Sequence, residues 1–160
     1  MQSVNIICIG KIKEKYLTEA IKEYSTRLKS FCKFSIIELD EYRLPDKPSQ
    51  AQIEACLVEE GKKILSRISK NSFVIPMCIE GKLASSQELS DIVKEAGVAG
   101  KSTVDFVIGG SFGLSDEVKN RGDFRLSMGR MTFPHQLARV MLSEQIYRSF
   151  QIMTGGKYHK

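Results

Sequence analysis

Val104-Asp105-Phe106-Val107-Ile108 runs directly into Gly109-Gly110-Ser111-Phe112-Gly113-Leu114. The first half is short, β-branched and mostly apolar, the pattern of a strand buried in a sheet. Three glycines then surround Ser111 and Phe112. Ser115 follows where it can cap a helix, and Asp116 and Glu117 suit the positive end of that helix. A strand that ends in glycines marks a ligand position in an open α/β sheet, because ligands sit outside the carboxyl ends of the strands. Glycine also leaves backbone N–H and C=O groups open to a flat molecule. The spacing is neither Gly-x-Gly-x-x-Gly nor a P-loop, so neither phosphate-binding fingerprint is present. The competing reading is a tight turn that only packs closely.

Upstream, the same alternation of strand and helix repeats. Val4 to Ile9 reads as a strand closing on Gly10, followed by Tyr16, Leu17, Ala20, Ile21, Tyr24 and Leu28 at helical spacing. Phe34 to Leu39 is a second strand. Asp40 to Ser49, with Pro45 and Pro48 among charges, is an exposed loop. Ile53, Cys56, Leu57, Ile64, Leu65 and Ile68 form the apolar side of a second helix. Phe73 to Ile79 is the longest apolar run and reads as a strand buried on both faces, with Pro76 predicting an interruption or an unpaired position. Ser85 and Glu88 have capping-box spacing ahead of Leu89, Ile92, Val93 and Ala96, and Gly97 and Gly100 stop that helix. Beyond the glycine turn, Phe124 to Met128 predicts one more short strand. The class is α/β, a mostly parallel sheet with flanking helices, in a single domain over residues 1–160.

The composition bounds the partners. Hydrophobic residues make up 42% of the 160 and charged residues 27%, ordinary for a globular chain. A net charge of +5 and a pI near 9.0 favour a polyanionic partner. Cys8, Cys32, Cys56 and Cys78 form no Cys-x-x-Cys, and with only His135 and His159 beside them no metal site is expected. The N-terminus reads as a strand rather than a signal peptide, and no apolar run approaches membrane length. A reducing, cytoplasmic setting is the expectation.

The last third is unusual. Met128-Gly129-Arg130-Met131-Thr132-Phe133 is a loop, and Thr132 or Phe133 leads into a helix with Pro134 in its first turn. Leu137, Val140, Met141, Leu142, Ile146, Tyr147, Phe150, Ile152 and Met153 cover more than one stripe of that helix. Burial on two sides is expected, against the sheet and against a second subunit. Gly155-Gly156 frees a polar tail, Lys157-Tyr158-His159-Lys160.

Four blocks along the chain carry a family resemblance. They are Val107-Ile108-Gly109-Gly110-Ser111 with Gly113-Leu114, Met131-Thr132-Phe133-Pro134-His135-Gln136, Glu144-Gln145-Ile146-Tyr147-Arg148, and the closing Tyr158-His159-Lys160. Together with Ile9-Gly10-Lys11-Ile12-Lys13-Glu14-Lys15-Tyr16 they resemble the methyltransferases of the SPOUT, or α/β-knot, class that methylate N3 of a pseudouridine in 23S ribosomal RNA. The resemblance implies a C-terminal trefoil knot, which general topology rules would not suggest. It also implies S-adenosylmethionine as cofactor, a homodimer, and ribosomal RNA within the ribosome as partner. Met77, Gly109, Met128, Gly129, Arg130, Met131, Thr132 and Phe133 are the implied cofactor positions, with Met77, Gly129 and Arg130 contacting mainly through backbone.

Methyl transfer from a sulfonium needs an in-line nucleophile and exclusion of water, so positioning supplies most of the help. A pseudouridine N3 is an imide N–H that must lose its proton before it attacks. The resemblance makes His159 and Tyr158 the catalytic candidates, one titrating near neutrality and the other able to stack on or bond a base. Without it the tail would read as a frayed end. For His135 the plainer reading is a helix-start residue bonded to a neighbour. Arg139, Glu144, Gln145 and Arg148 interrupt the last helix with polar groups suited to an interface or a cleft, and the two arginines either hold phosphates or pair with Glu144 or another carboxylate. Lys11, Lys13 and Lys15 are either an RNA-facing patch or a solvated face. The alternative function is a non-catalytic nucleotide- or RNA-binding module using the same glycine turn, which predicts RNA affinity without cofactor affinity. A flavodoxin-like redox protein is disfavoured by the lack of a Ser/Thr-rich phosphate loop after the first strand.

Overall fold

In a computed structural model that describes all 160 residues, five parallel strands form one sheet with helices on both faces. The elements in chain order are β1 Ser3–Ile9, α1 Lys15–Leu28, β2 Lys33–Leu39, α2 Gln50–Arg67, β3 Phe73–Leu83, α3 Ser86–Val98, β4 Thr103–Ile108, α4 Asp116–Arg121, β5 Leu126–Ser127 and α5 His135–Met153. The strands lie in the order β2-β1-β4-β3-β5. The class expected from the alternation of patterns is the class observed.

Strand periodicity explains the two layers. Val4, Ile6 and Cys8 of β1, with Val104, Phe106 and Ile108 of β4, point to the face carrying α1, α3 and α5. Ile7, Ile9 and Val107 point to the other face, where Ile64 of α2 and Leu114 and Val118 beside α4 cover them. The central strands are therefore apolar on successive residues because both sides are roofed. Buried Asp105 is the exception, and it accepts a hydrogen bond of 2.8 Å from Asn5 Nδ2 on the neighbouring strand. Ser49 and Ser85 each complete a capping box, with Gln52 and Glu88 respectively. Ser115 caps α4 through the Val118 amide.

Several expectations need correction. Pro76 does not interrupt β3. The strand pairs with β4 as far as Pro76, opposite Val107, and with β5 on its other side from Met77 onward. The proline thus sits where the ladder changes neighbour, so its missing N–H costs little. The strand expected over Phe124 to Met128 shrinks to Leu126–Ser127, with Leu126 opposite both Met77 and Lys82 across a bulge in β3. The last helix begins at His135 and Pro134 is its N-cap, so Thr132 and Phe133 stay in the loop.

The two-sided apolar pattern of α5 is largely satisfied inside the chain. Leu142, Ile146 and Phe150 are buried in the core that α1, α3 and α5 share over the sheet. Each such side chain contributes about 1.5–3 kcal/mol on burial. Phe31 stacks on Phe150 with ring centroids 6.1 Å apart, and meets Tyr147 edge-on at 6.1 Å. No helix is long and apolar enough to cross a membrane.

Candidate cofactor cavity and tail

The carboxyl ends of β1, β4 and β3 carry the chemistry-bearing residues, as an open α/β sheet requires. Gly109 is buried directly after β4. A Cβ there would run into the carbonyl of Gly113, across the small bridge that Gly110 and Gly113 form. Its glycine is therefore demanded first by the turn itself. Gly129 has φ 134° with open space around it, a backbone conformation that side chains rarely adopt. Ser127 Oγ fixes this turn, accepting from Gly129 N at 3.2 Å and donating to Gly129 O at 3.1 Å.

A cavity of about 470 Å³ opens beside the Ser127–Gly129 turn. Met77 at the β3–β5 junction and Met128 after β5 line it. Ala84, Ser85 and Ser86 at the start of α3 form another wall, and Val140, Met141, Glu144 and Gln145 of α5 close it. The lining is mainly apolar, with few polar groups, as small-molecule sites usually are. Of the expected cofactor residues, Met77 and Met128 meet around this space. Gly109 does not line it, nor do the residues from Gly129 to Phe133. In that stretch Arg130, Met131 and Thr132 are exposed, while Gly129 and Phe133 are partly buried.

The tail folds back on α5. Tyr158 is partly buried, its ring edge-on to Tyr147 with centroids 4.9 Å apart, and the Arg148 guanidinium lies 4.6 Å from its centroid. Its hydroxyl donates to Glu144 Oε1 at 3.1 Å. Arg148 donates to the same oxygen from Nε at 2.9 Å and Nη2 at 2.6 Å. Glu144 Oε2 in turn accepts from Gln145 Nε2 at 2.8 Å, and Gln145 Oε1 accepts from Ser86 Oγ at 2.6 Å. One carboxylate thereby joins the cavity wall to the tail. Burial, reinforced by the bond to Glu144, pushes the Tyr158 phenol up to about 12, so it stays neutral. Arg148 Nη1 stands 3.1 Å from Nδ1 of exposed His159. A guanidinium only donates, so Nδ1 accepts here and the ring proton belongs on Nε2.

Glu144 and Gln145, expected at an interface or a cleft, line the cavity. The signal was the pair of polar residues inside an otherwise apolar helix. Arg139 pairs with a carboxylate, but with Glu38, at 3.0 Å, and it is fully buried. Its Nη2 donates to the carbonyls of Ile9 at 2.7 Å and Gly10 at 3.0 Å, so it holds no phosphate in this arrangement. His135 is partly buried at the start of α5, and desolvation together with the nearby Arg139 charge lowers its pKa. No group of three or more His, Cys, Asp or Glu is placed to hold a metal ion.

An open parallel sheet with a glycine turn after its central strand, and a mainly apolar cavity and a docked polar tail along α5, defines the α/β class. The family described as "Predicted SPOUT methyltransferase" matches residues 2–159, and the chain belongs to it. A protein of Clostridioides difficile named "Ribosomal RNA large subunit methyltransferase H" is 50% identical over 158 residues, 99% of each chain. One of the same name from Oenococcus oeni is 49% identical over 160 residues, covering 100% of both. Among solved structures, a probable methylase family protein from Haemophilus influenzae superposes with a TM-score of 0.55 at 16% identity, covering 98% of this chain and 70% of that one. That likeness concerns the fold alone.

Proposed function

We infer that the chain is an S-adenosylmethionine-dependent methyltransferase acting on large-subunit ribosomal RNA, with N3 of a 23S pseudouridine as acceptor. The observation that carries the reading is the match at about half identity, over 99% or more of each chain, to proteins named for large-subunit RNA methylation. The cavity supports the cofactor. Its size lies within the roughly 300–1,000 Å³ of small-molecule sites, its apolar wall suits an adenosine, and Glu144 offers a carboxylate to a cationic group. When bound, S-adenosylmethionine supplies a methyl group already activated by positive sulfur.

The chain's own residues bind and orient. Met77 and Met128 would flank the cofactor, and the backbone of Gly109 and of Gly129 to Phe133, with Arg130, Met131 and Thr132 between, would close around it. His159, through Nε2–H, acts as a positioning donor toward the acceptor base, and Tyr158, whose one hydroxyl proton lies on Glu144, offers its ring. Tyr158 is a neutral phenol, and the acceptor nitrogen of His159 is occupied by Arg148. Neither is free to take the imide proton, which leaves to solvent before N3 attacks. Residues 1–160 act as one domain, knotted in the C-terminal part, where α5 returns from β5 at the sheet edge to place Arg139 against the end of β1. The active form is a homodimer. Exposed Ile79, Leu83, Met131 and Leu137, beside the cavity in sequence, supply apolar surface for the second copy. Four free cysteines suit the reducing cytoplasm.

Calorimetry with S-adenosylmethionine, paired with methylation of ribosomes lacking the modification, tests this. Micromolar cofactor affinity and one methyl group per ribosome are expected. Ribosome binding without cofactor binding would instead establish the non-catalytic module.

A further inference from the structure

Glu38 Oε2 accepts from two sides, from Arg139 Nη1 at 3.0 Å and from the backbone N–H of Ile12 at 2.9 Å. The first donor is buried on α5. The second lies in the short connection between β1 and α1. Arg139 Nη2 also takes the Gly10 carbonyl at 3.0 Å. That connection is therefore pinned at Gly10 by buried Arg139 and at Ile12 by Glu38, the more exposed partner of the same ion pair.

What it holds outward is basic. Lys11, Lys13 and Lys15 are exposed, and none of them joins an ion pair. Glu14 is the one opposing charge among them. Tyr16 follows, 69% exposed, an aromatic face next to the last lysine. These residues stand at the edge of the sheet that bears the glycine turn. Cys8 of β1 pairs with Ile108 of β4, and Ile9 Cγ2 lies 3.4 Å from where a Cβ of Gly110 would stand.

The geometry points to Lys11–Tyr16 as an RNA-contact surface, its lysines on phosphates and Tyr16 on a base, with Glu38 as the positioning residue. Lysines beside an exposed aromatic combine the two contacts of single-stranded nucleic acid binding, charge on phosphates and a ring on a base. A pinned connection also loses less freedom on binding than a loose one, which favours contact over mere solubility. The identity of the RNA rests on the proposed methyltransferase function; the contact itself does not.

The test compares Lys11→Ala/Lys13→Ala/Lys15→Ala, Tyr16→Ala and Glu38→Gln with wild type, on purified 50S subunits across a salt series. The triple variant should bind at least about 10-fold more weakly, with a salt slope shallower by about 2, since each phosphate contact contributes roughly 0.7–0.9. Tyr16→Ala should weaken binding with the slope unchanged. Glu38→Gln keeps an acceptor for Ile12 but removes the charge facing Arg139, and should raise KM for ribosomes several-fold at an unchanged slope. S-adenosylmethionine affinity should match wild type in all three. A triple variant with wild-type affinity and slope overturns the proposal, as does parallel loss of cofactor affinity, which would place the lysines in the fold. Wild type that binds subunits with this salt dependence yet transfers no methyl group supports the surface and sinks the methyltransferase reading instead.

Discussion

The hydroxyl of Tyr158 rests on Glu144 Oε1, 3.1 Å away, on the oxygen that also takes two nitrogens of Arg148. The end of the chain is thereby fastened to the middle of its last helix. The sequence predicts a tail freed by Gly155-Gly156. Tyr158 is docked instead, because its ring finds Tyr147 and Arg148 and its hydroxyl finds a carboxylate.

Tyr158→Phe keeps the ring contacts and removes only the bond to Glu144. A hydrogen bond to a charged group is worth about 1.5–3 kcal/mol. Single-turnover methylation should fall roughly 10- to 100-fold, with cofactor affinity by calorimetry within two-fold of wild type, that factor being about 0.4 kcal/mol. Deleting residues 157–160 should cost at least as much. Full activity after deletion would make the tail a terminus without function.

Met141→Trp places a large ring on the α5 wall of the cavity without altering the sheet. S-adenosylmethionine affinity should drop by an order of magnitude or more, while the melting temperature stays within a few degrees. Unchanged affinity would move the cofactor to the exposed side of Gly129–Phe133.

His135 titrates below its ordinary value because it is desolvated and faces Arg139, with Glu41 and Glu60 opposing more weakly. Below about 6.5 the unfolded chain then binds the proton more readily than the folded one. The contribution is complete above that pH and is lost as pH falls toward the folded-state value. His135→Asn should flatten the decline in melting temperature between about pH 7 and pH 5. An acid limb identical to wild type would show that other groups carry it.

Leu137, 37% exposed on the first turn of α5, offers a probe of the dimer that spares the core. Leu137→Glu should sediment as a monomer while its far-ultraviolet dichroism stays that of wild type. A dimer unaffected by this charge would exclude the start of α5 from the interface. Phe150 and Tyr147, the first choices from the helical pattern, are unsuitable, because they pack on Phe31, Tyr24 and Tyr158 within the same chain.

Local chemistry was legible along the whole chain. Near-continuous burial made β1 and β4 readable, since both faces of a doubly covered strand are apolar apart from the bonded pair Asn5 and Asp105. Ser85 with Glu88 announced α3, because a helix start needs acceptors for its free N–H groups and these two supply them within four residues of sequence. Gly113 and Gly129 stood out for a local reason, a backbone that side chains rarely follow, whereas Gly109 is required by the close approach of the Gly113 carbonyl. Tertiary structure decided whatever depends on partners far apart in the chain. Arg139 and Glu38 lie 101 positions apart, Ser86 and Gln145 59, and no periodicity links them. The burial of α5 on both sides came from α1 and α3 rather than from a second subunit alone, because an apolar stripe records that it is covered and not by what. β5 shrank to Leu126–Ser127 for the complementary reason. A strand lasts only as long as its neighbour's ladder, and the bulge in β3 between Met77 and Lys82 is a property of the pairing, not of the residues that were paired.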